Sequence, residues 1–180
     1  MPSPLKPSHG RMHGRIMHWL FEYIDRTSGT DGFDNTTIIL GEESEPQPDA
    51  YLIVSPECGG QMRLNEEGYL EGAPELIAEV ALSTQAIDLH AKKNDYEKAG
   101  VREYIAIALR QERDFWFVSR HGRFEELKPG DDGIFRSEVF PGLWLDPAAL
   151  LRHDATRIRE VLQQGLATPE HAAFVTRLAK

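Results

Sequence analysis

Apolar and polar positions follow a helical period near the start of the chain. In "RMHGRIMHWLFEYIDR", Ile16, Leu20 and Tyr23 recur at helical spacing, which predicts an amphipathic first helix that ends near "TSGTDG". The preceding segment "MPSPLKPSHG" contains three prolines and two serines. This composition predicts a flexible arm over residues 1–10.

Further along the chain, short apolar runs bounded by turn residues predict β-strands. Three runs precede a second helix, at residues 37–40, 49–54 and 75–82. The helix is expected between Thr84 and Gly100, because Ser and Thr cap helix starts and Gly ends helices. The strands predicted after it are "REYIAIAL", "DFWFVSRHG", "GRFEELKPG" and "IFRSEVFPGLWL".

The order strand, helix, strand over residues 75–109 is typical of a parallel strand pair. It predicts that "REYIAIAL" pairs parallel with "ELIAEVAL", joined by a right-handed crossover helix. The main domain is expected over residues 11–152, with residues 153–180 forming a C-terminal helical appendage at the surface.

Composition narrows the class of protein. The 180 residues are 41% hydrophobic and 27% charged, which is ordinary for one globular domain. The net charge of −9 argues against a protein that coats nucleic acid non-specifically, although a local basic patch could still bind a polyanion. The single cysteine excludes an internal disulfide, and no apolar run reaches the length of a membrane span. We therefore expect a soluble, cytoplasmic protein without a membrane partner.

Three charged residues near the predicted strand ends are candidates for chemistry. Asp49 stands at the start of one strand, Glu79 lies in the otherwise apolar "PELIAEVALST", and Lys92 belongs to the helix that follows. A buried carboxylate without a partner is costly, which leaves a metal ion, a charged partner or an exposed strand end as explanations. The structural alternative is a Glu on an edge strand paired with an Arg.

Together, these motifs resemble the Uma-type family of putative restriction endonucleases, a branch of the PD-(D/E)XK nuclease superfamily. The resemblance covers residues 10 to 152 and extends into "RSEVFPGLWLD". Its matching positions are Pro48-Asp49, Ala73-Pro74-Glu75-Leu76, Glu79-Val80, Thr84, Asp88, Lys92, Tyr96 and Gly100-Val101-Arg102-Glu103-Tyr104.

The resemblance implies a fold, a cofactor and a set of site residues. The fold is α/β (α+β), restriction-endonuclease-like, with a mixed central β-sheet flanked by helices. The activity is metal-dependent hydrolysis of phosphodiester bonds with Mg²⁺ or Mn²⁺. Asp49, Glu79 and the backbone carbonyl of Val80 would bind the metal, and Lys92 would orient the attacking water.

The chain departs from the superfamily pattern next to the second acid. The lysine that usually follows the acid by two residues is replaced by Ala81, so it must come from elsewhere. Lys92 matches the family position on the following helix, and Lys93 points about 100° away around that helix. "Ala-Leu-Ser-Thr" is also one residue shorter than the family's run, and Ile105 stands where the family usually has Trp.

Two further acids are possible supporting residues. Asp88 precedes Lys92 by one helical turn, which suits an intrahelical ion pair or simply a solvated helix face. Glu22 on the first helix could supply another carboxylate or face solvent. His13 and His18 lie near the same helix, but three scattered histidines in a flexible arm are not expected to form a metal site.

Basic residues could contact phosphates if folding gathers them on one face. These residues are Lys6, Arg11 and Arg15 in one group, and Arg110, Arg113, Arg120 and Arg123 in another. Scattered solvated charges are the alternative interpretation for each of them.

The favoured hypothesis is a DNA endonuclease that requires Mg²⁺ or Mn²⁺. A non-catalytic binding or assembly module that keeps the nuclease fold is the main alternative, and another metal-dependent phosphoesterase is a third. No Walker loop, GxGxxG, GxSxG or HExxH motif is present. A homodimer is expected, with the aromatic run Phe115-Trp116-Phe117 as a possible contact.

Overall fold

The computed structural model describes residues 6–41, 44–81 and 86–180, with the side chains of residues 82–90 outside the description. Its helices are α1 (Pro7–Ile24), α2 (Ala86–Ala99), α3 (Pro147–Leu151), α4 (Ala155–Leu166) and α5 (Pro169–Leu178). Its strands are β1 (Thr30–Asp34), β2 (Ile38–Ile39), β3 (Ala50–Val54), β4 (Arg63–Leu64), β5 (Leu70–Glu71), β6 (Leu76–Ala81), β7 (Glu103–Ala108), β8 (Arg113–Arg120), β9 (Arg123–Glu126), β10 (Phe135–Arg136) and β11 (Trp144–Leu145).

Six strands form the central mixed sheet, in the order β1-β3-β6-β7-β8-β9. β6 and β7 pair in parallel, and the other neighbouring pairs of this sheet are antiparallel. The predicted parallel pair is therefore confirmed, with α2 as its crossover, and so is the predicted fold class. β3 and β7 are buried along their whole length, which explains their continuous apolar sequence.

Helices cover both faces of this sheet. α1 packs across β1, β3 and β6 and contributes Ile16, Trp19 and Tyr23 to the larger core. The opposite face carries a second core, in which Tyr96 of α2 stacks edge-on against Tyr104 of β7. The ends of β3 and β6 therefore lie between α1 and α2.

The C-terminal helices belong to the main body of the domain. Residues 155–178 are largely helical as predicted, but α4 packs against α1, and Ile158, Leu162 and Phe174 are part of the larger core. A buried contact of 2.9 Å joins Thr27 Oγ1, just after α1, to Nε2 of His171 on α5. The surface appendage expected over residues 153–180 is thus packed on the domain through an apolar face.

The start of the chain also differs from the expectation. α1 begins at Pro7, so residues 7–10 of the predicted arm form the first turn of a helix, and His9 is buried. Proline suits this position because its fixed φ is helical and the first N–H groups of a helix have no partner within it.

One strand of the central sheet was not predicted. β1 has the polar sequence "TDGFD", which resembles a turn, yet it pairs antiparallel with β3 along its full length. It tolerates polar residues because it lies at an edge of the sheet.

The aromatic run on β8 is mostly enclosed by the fold. Trp116 lies in the larger core, while Phe115 and Phe117 are half-buried on the opposite face. The run therefore offers little exposed apolar surface for the expected homodimer contact, and the dimer stays a prediction.

Two acids of the family motifs have structural partners. Glu75 accepts hydrogen bonds from the backbone N–H groups of Val54 and Gln61, at 3.0 and 2.9 Å. Glu103 accepts from Ser137 Oγ at 2.6 Å and from the N–H of Glu138 at 2.7 Å. Burial raises the pKa of Glu103 to about 7, against the lowering effect of these hydrogen bonds.

None of the helices among the described residues combines the length and the apolar character that crossing a membrane requires.

Candidate active site

The register of the central sheet brings the two candidate acids together. The last described pair between β3 and β6 is Ala50 with Ala78. One step further, the same register places Asp49 opposite Glu79. Because side chains alternate between faces along a strand, both acids project from the face that carries α2. Neighbouring antiparallel strands thus explain why two acids 30 positions apart converge.

The carboxylate of Asp49 is held by one backbone group and one imidazole. Its Oδ2 accepts a hydrogen bond from the N–H of Val80 at 2.7 Å. The Nε2 atom of His9 lies 3.3 Å from the same oxygen. The Asp49 side chain, just before the start of β3, retains 15% exposure, so it is not fully enclosed by the fold.

The backbone carbonyl of Val80 lies on the Asp49 side of β6. In a strand, the N–H and C=O of one residue point toward the same neighbour. The Val80 N–H is bound to Asp49, and the described pairing of β3 with β6 ends two residues earlier, at Ala78. The geometry thus agrees with the expected grouping of this carbonyl with the two acids.

Glu79 is a buried acid with two donors on one oxygen. Its Oε1 accepts hydrogen bonds from Lys92 Nζ at 2.8 Å and from the Tyr96 hydroxyl at 2.7 Å. The Glu79 side chain is 7% exposed and that of Lys92 is 49% exposed. The alternative of an edge-strand Glu paired with an Arg is therefore wrong, because β6 is an inner strand and the ion-pair partner is a lysine.

The two adjacent lysines of α2 have different surroundings. Lys92 reaches Glu79, whereas Lys93 Nζ lies 4.7 Å from the ring centroid of Phe117 and 6.0 Å from that of Phe124. This separation follows from the rotation of one residue around a helix. Lys92 is therefore the lysine that the fold places beside the acids.

Two buried tyrosines lie in the electrostatic field of the acids. Burial raises the pKa of Tyr96 well above its ordinary value, and the charge of Glu79 raises it further. Burial likewise raises the pKa of Tyr104, followed by the charges of Glu79 and Asp49. Tyr96 consequently stays protonated and donates its hydrogen bond to Glu79 across the ordinary pH range.

Two histidines of α1 contact the site, and sequence reasoning missed them. His13 Nε2 lies 2.8 Å from the backbone carbonyl oxygen of Asp49 and 3.1 Å from Oδ1 of Asp34. His9 and His13 are one helical turn apart with their rings stacked at 6.1 Å. The spacing His-x-x-x-His was the available signal, because it places both rings on one helix face. Sequence reasoning did not use this spacing, because residues 1–10 were predicted to form a flexible arm.

The supporting acids are not brought into this group. Glu22 lies nine residues beyond His13, about 13 Å along the helix and about half a turn around it. Its carboxylate lies 3.8 Å from Arg159 and 3.8 Å from His18 instead. The side chain of Asp88 lies outside the described residues, as does Thr84.

The donor set fits a magnesium-type ion better than zinc. In the described part of the chain, no group of three or more His, Cys, Asp and Glu side chains is placed to hold a metal. Among the described residues, the hydrogen bonds to these acids engage one oxygen of each, Asp49 Oδ2 and Glu79 Oε1, and none engages the second oxygen. Carboxylate and carbonyl oxygens suit Mg²⁺ and Mn²⁺, and Mg²⁺ commonly keeps several waters beside one or two carboxylates.

Comparison with known proteins identifies the family. A family model described as "Uma2: Putative restriction endonuclease" matches residues 1–148. The chain belongs to the Uma2 family. This membership confirms the resemblance read from the sequence, and the match includes Asp49, Glu79 and Lys92.

A solved structure shares the fold at low sequence identity. It is a crystal structure from Anabaena variabilis ATCC 29413, described as "a putative nuclease belonging to DUF820". The TM-score is 0.60 at 14% identity, covering 83% of this chain and 84% of the other. No curated protein matches the chain. The similarity supports the mixed sheet flanked by helices that was inferred above.

Proposed function

We propose that the protein is an endonuclease that hydrolyses phosphodiester bonds in DNA with Mg²⁺ or Mn²⁺. The observation that supports this most is the convergence of two acids. Asp49 lies just before the start of β3, Glu79 lies in the C-terminal half of the neighbouring β6, and Lys92 is bound to Glu79. Membership of the family described as "Uma2: Putative restriction endonuclease" supports the same chemistry.

Each side chain has a distinct role in this proposal. The second oxygens of Asp49 and Glu79, which no hydrogen bond among the described residues engages, would hold the ion together with the Val80 carbonyl. When bound, the ion polarises the phosphoryl oxygen and lowers the pKa of a coordinated water. Lys92 has a half-exposed ammonium that donates to the attacking water and to the phosphate oxygens that gain negative charge. The water oxygen would bond to phosphorus as the bond to the leaving oxygen breaks, with the proton of the attacking water passing to solvent and the leaving oxygen taking a proton from solvent.

The hydrogen bonds to the two acids would fix the orientation of the carboxylates that hold the ion. Tyr96 fixes one oxygen of Glu79, and the Val80 N–H fixes one oxygen of Asp49. Partners of this kind orient ligands and tune metal affinity. His9 of α1 adds a third contact, with its Nε2 3.3 Å from the same oxygen of Asp49.

A non-catalytic binding module is the second candidate, favoured by one observation. Glu79 already has two donors, Lys92 and Tyr96, so the buried acid is compensated without a metal ion. In this case the acids and the lysine would be a structural network. The two functions differ in whether Mg²⁺ or Mn²⁺ binds.

The test is incubation with plasmid, linear duplex, single-stranded DNA and RNA, each with Mg²⁺, Mn²⁺ or EDTA. The proposal expects cleavage of DNA that EDTA abolishes and that disappears in an Asp49→Asn/Glu79→Gln double variant. Calorimetric titration with Mn²⁺ on the same proteins separates the candidates. Binding to the wild type and not to the double variant supports the nuclease, while no binding to either supports the module.

We further propose that the protein acts in the cytoplasm as a homodimer. Light scattering during gel filtration at micromolar concentration measures the mass directly. A monomer at all concentrations would contradict the dimer and leave the proposed hydrolysis unaffected.

A further inference from the structure

Helix α2 presents two neighbouring rows of side chains to different parts of the sheet. Lys92 and Tyr96 form the first row, and both donate a hydrogen bond to Oε1 of Glu79 on β6. Lys93 and Glu97 form the second row, which is rotated by about 100° around the helix axis. Residues four positions apart lie on one helix face, so the members of each row contact the same neighbour.

The second row contacts the β8–β9 hairpin. Lys93 Nζ lies 4.7 Å from the ring centroid of Phe117 on β8 and 6.0 Å from that of Phe124 on β9. Glu97 Oε2 accepts a hydrogen bond from the backbone N–H of Phe124 at 2.6 Å, and its Oε1 accepts one from Arg123 Nη1 at 3.1 Å. The Glu97 side chain is 13% exposed and that of Arg123 is 82% exposed. The ion pair is therefore weakened by solvent, and the backbone bond is the stronger contact.

Glu97 binds a backbone group that the sheet itself leaves unpaired. β9 is an edge strand of the central sheet. In an antiparallel pair, successive N–H groups point alternately toward the partner strand and away from it. Ser119 lies opposite Phe124 and donates its N–H to the carbonyl of Arg102, away from β9. The Phe124 N–H therefore points out from the edge of the sheet, where the Glu97 carboxylate binds it.

The position of Glu97 within α2 is not explained by the stability of the helix. α2 ends at Ala99, so Glu97 lies in its last turn. The C-terminal end of a helix carries a partial negative charge, which disfavours a carboxylate there. The hydrogen bond with Phe124 supplies the reason for an acid at this position.

The first row depends on where α2 lies across the sheet. α2 packs against β7 and β9, and it reaches Glu79 on β6 through the long side chains of Lys92 and Tyr96. Those two hydrogen bonds measure 2.8 and 2.7 Å. A displacement of α2 by about 1 Å away from β6 takes both donors out of hydrogen-bonding range unless the side chains rearrange.

We propose that Glu97 is a positioning residue, whose bond to the Phe124 N–H fixes α2 across the sheet and thereby keeps Lys92 and Tyr96 on Glu79. Its effect on cleavage rests on the proposed function, whereas its effect on the contact between Lys92 and Glu79 does not. The Lys93 contacts with aromatic rings add stability, but they lack the directional preference of a hydrogen bond.

The first experiment measures coupling between Glu97 and Lys92 and requires no cleavage. Urea midpoints are compared for the wild type, Lys92→Ala, Glu97→Ala and the double variant. The two residues share no hydrogen-bond partner among the described residues, so coupling reports on the position of α2. Lys92→Ala should lower the midpoint of the wild type, and it should lower that of Glu97→Ala by no more than about half as much.

Three variants make this cycle specific. Glu97→Gln removes the charge and keeps an oxygen that accepts from Phe124, so the full effect of Lys92→Ala should return; this excludes a direct charge interaction. Arg123→Ala removes only the exposed ion pair and should behave like the wild type. Glu97→Met keeps the length and the apolar stem of the side chain, and it replaces Glu97→Ala in the cycle if that variant does not fold.

The second experiment measures single-turnover cleavage by the same proteins with Mn²⁺. Glu97→Ala should cleave about 10-fold or more slowly, because it misplaces the lysine proposed to contact water and phosphate. Glu97→Gln should recover most of this rate. In the Lys92→Ala background, Glu97→Ala should cause little further loss, whereas a general loss of folded protein would slow both backgrounds equally.

Additive midpoints for Lys92→Ala and Glu97→Ala would overturn the proposal and leave Glu97 as a structural cap on the edge of β9. Equal loss of coupling in Arg123→Ala would also overturn it, because the backbone bond would then not be the cause. Coupled midpoints in a wild type that cleaves no nucleic acid would support the positioning role and contradict the proposed hydrolysis.

Discussion

The Asp49 carboxylate accepts a hydrogen bond from the Val80 N–H at 2.7 Å, so the residue after Glu79 fixes the orientation of the other acid. The Asp49 carboxylate is thereby bound to the backbone of β6, the strand that carries Glu79. A change in the position of β6 relative to β3 would move both, which makes the site sensitive to the register of the sheet.

Replacing Asp49 separates its structural role from its proposed role in metal binding. Asp49→Asn keeps an oxygen that can accept from Val80, so the free energy of unfolding should stay within about 1 kcal/mol of the wild type. Asp49→Ala leaves the N–H without a partner and should cost about 1–3 kcal/mol. Urea denaturation measures both values.

The same variants report on the metal. Mn²⁺ at about 100 times its dissociation constant should stabilise the wild type by about 2.7 kcal/mol and should not stabilise Asp49→Asn. Cleavage should be lost in Asp49→Asn. Equal stabilisation of both proteins by Mn²⁺, or unfolding of Asp49→Asn, would show that Asp49 is structural.

The adjacent lysines provide a matched pair. Lys92→Ala should reduce turnover by about 10²-fold or more with Mn²⁺ binding largely retained, because its proposed contacts are with water and phosphate. Lys93→Ala should keep turnover and lose about 0.5–1 kcal/mol of stability, since it removes the cation–π contact with Phe117. Single-turnover cleavage kinetics test the pair, and a larger defect in Lys93→Ala would show that the lysines are misassigned.

Much of the fold could be predicted because its central strands are apolar on both faces. β6 and β7 are recognisable from sequence, and the single helix between them requires a parallel pair. β1 could not be predicted, because "TDGFD" has no apolar alternation and gains its strand conformation from pairing with β3. The packing of α4 on α1 is likewise a tertiary contact without a local signal.

The site was predictable where the residues lie on predicted strands and helices. Asp49, Glu79 and Lys92 could each be identified from a predicted strand or helix and from a matching position in the family motif. The structure brings the three residues together. His9 was missed because the prolines before it suggested a flexible arm, whereas Pro7 begins a helix. Its partner, Asp49, lies 40 positions away, and this pairing depends on how α1 docks on the sheet.

Tyr96→Phe tests whether orientation of Glu79 matters. The change removes only the hydroxyl that donates to Glu79 Oε1, so the unfolding free energy should fall by about 1 kcal/mol. The affinity for Mn²⁺ should fall about 10–100-fold, as is typical when a partner of a metal ligand is lost. Tyr69→Phe is the control, because this tyrosine is exposed. Unchanged Mn²⁺ affinity by calorimetry would contradict the role.

His9 should act as a positioning residue for Asp49. His9→Ala removes the Nε2 contact at 3.3 Å, and we expect a loss of about 10-fold or more in Mn²⁺ affinity. His9→Gln can still donate from its amide and should recover part of that affinity, which a purely structural role would not predict. His18→Ala, an exposed histidine on the same helix, is the control. Equal Mn²⁺ affinity in all four proteins would exclude the role.

The pH dependence of stability should reveal the buried carboxyl of Asp114. Both of its oxygens are buried without a hydrogen-bond partner among the described residues, and burial raises its pKa from 3.8 to about 7. Between these values the folded protein binds more protons than the unfolded chain, so this group's contribution to stability falls as the pH rises through about 7. Asp114→Asn removes the titration, and its stability relative to the wild type should increase steadily over that window in urea denaturation.

Asp132 provides a control of opposite sign, because Arg136 lowers its pKa to about 2. Asp132→Asn should be the less stable protein near neutral pH, and its deficit should shrink as the pH falls through about 2. Parallel pH profiles for Asp114→Asn and the wild type would show that Asp114 stays ionised in the folded protein.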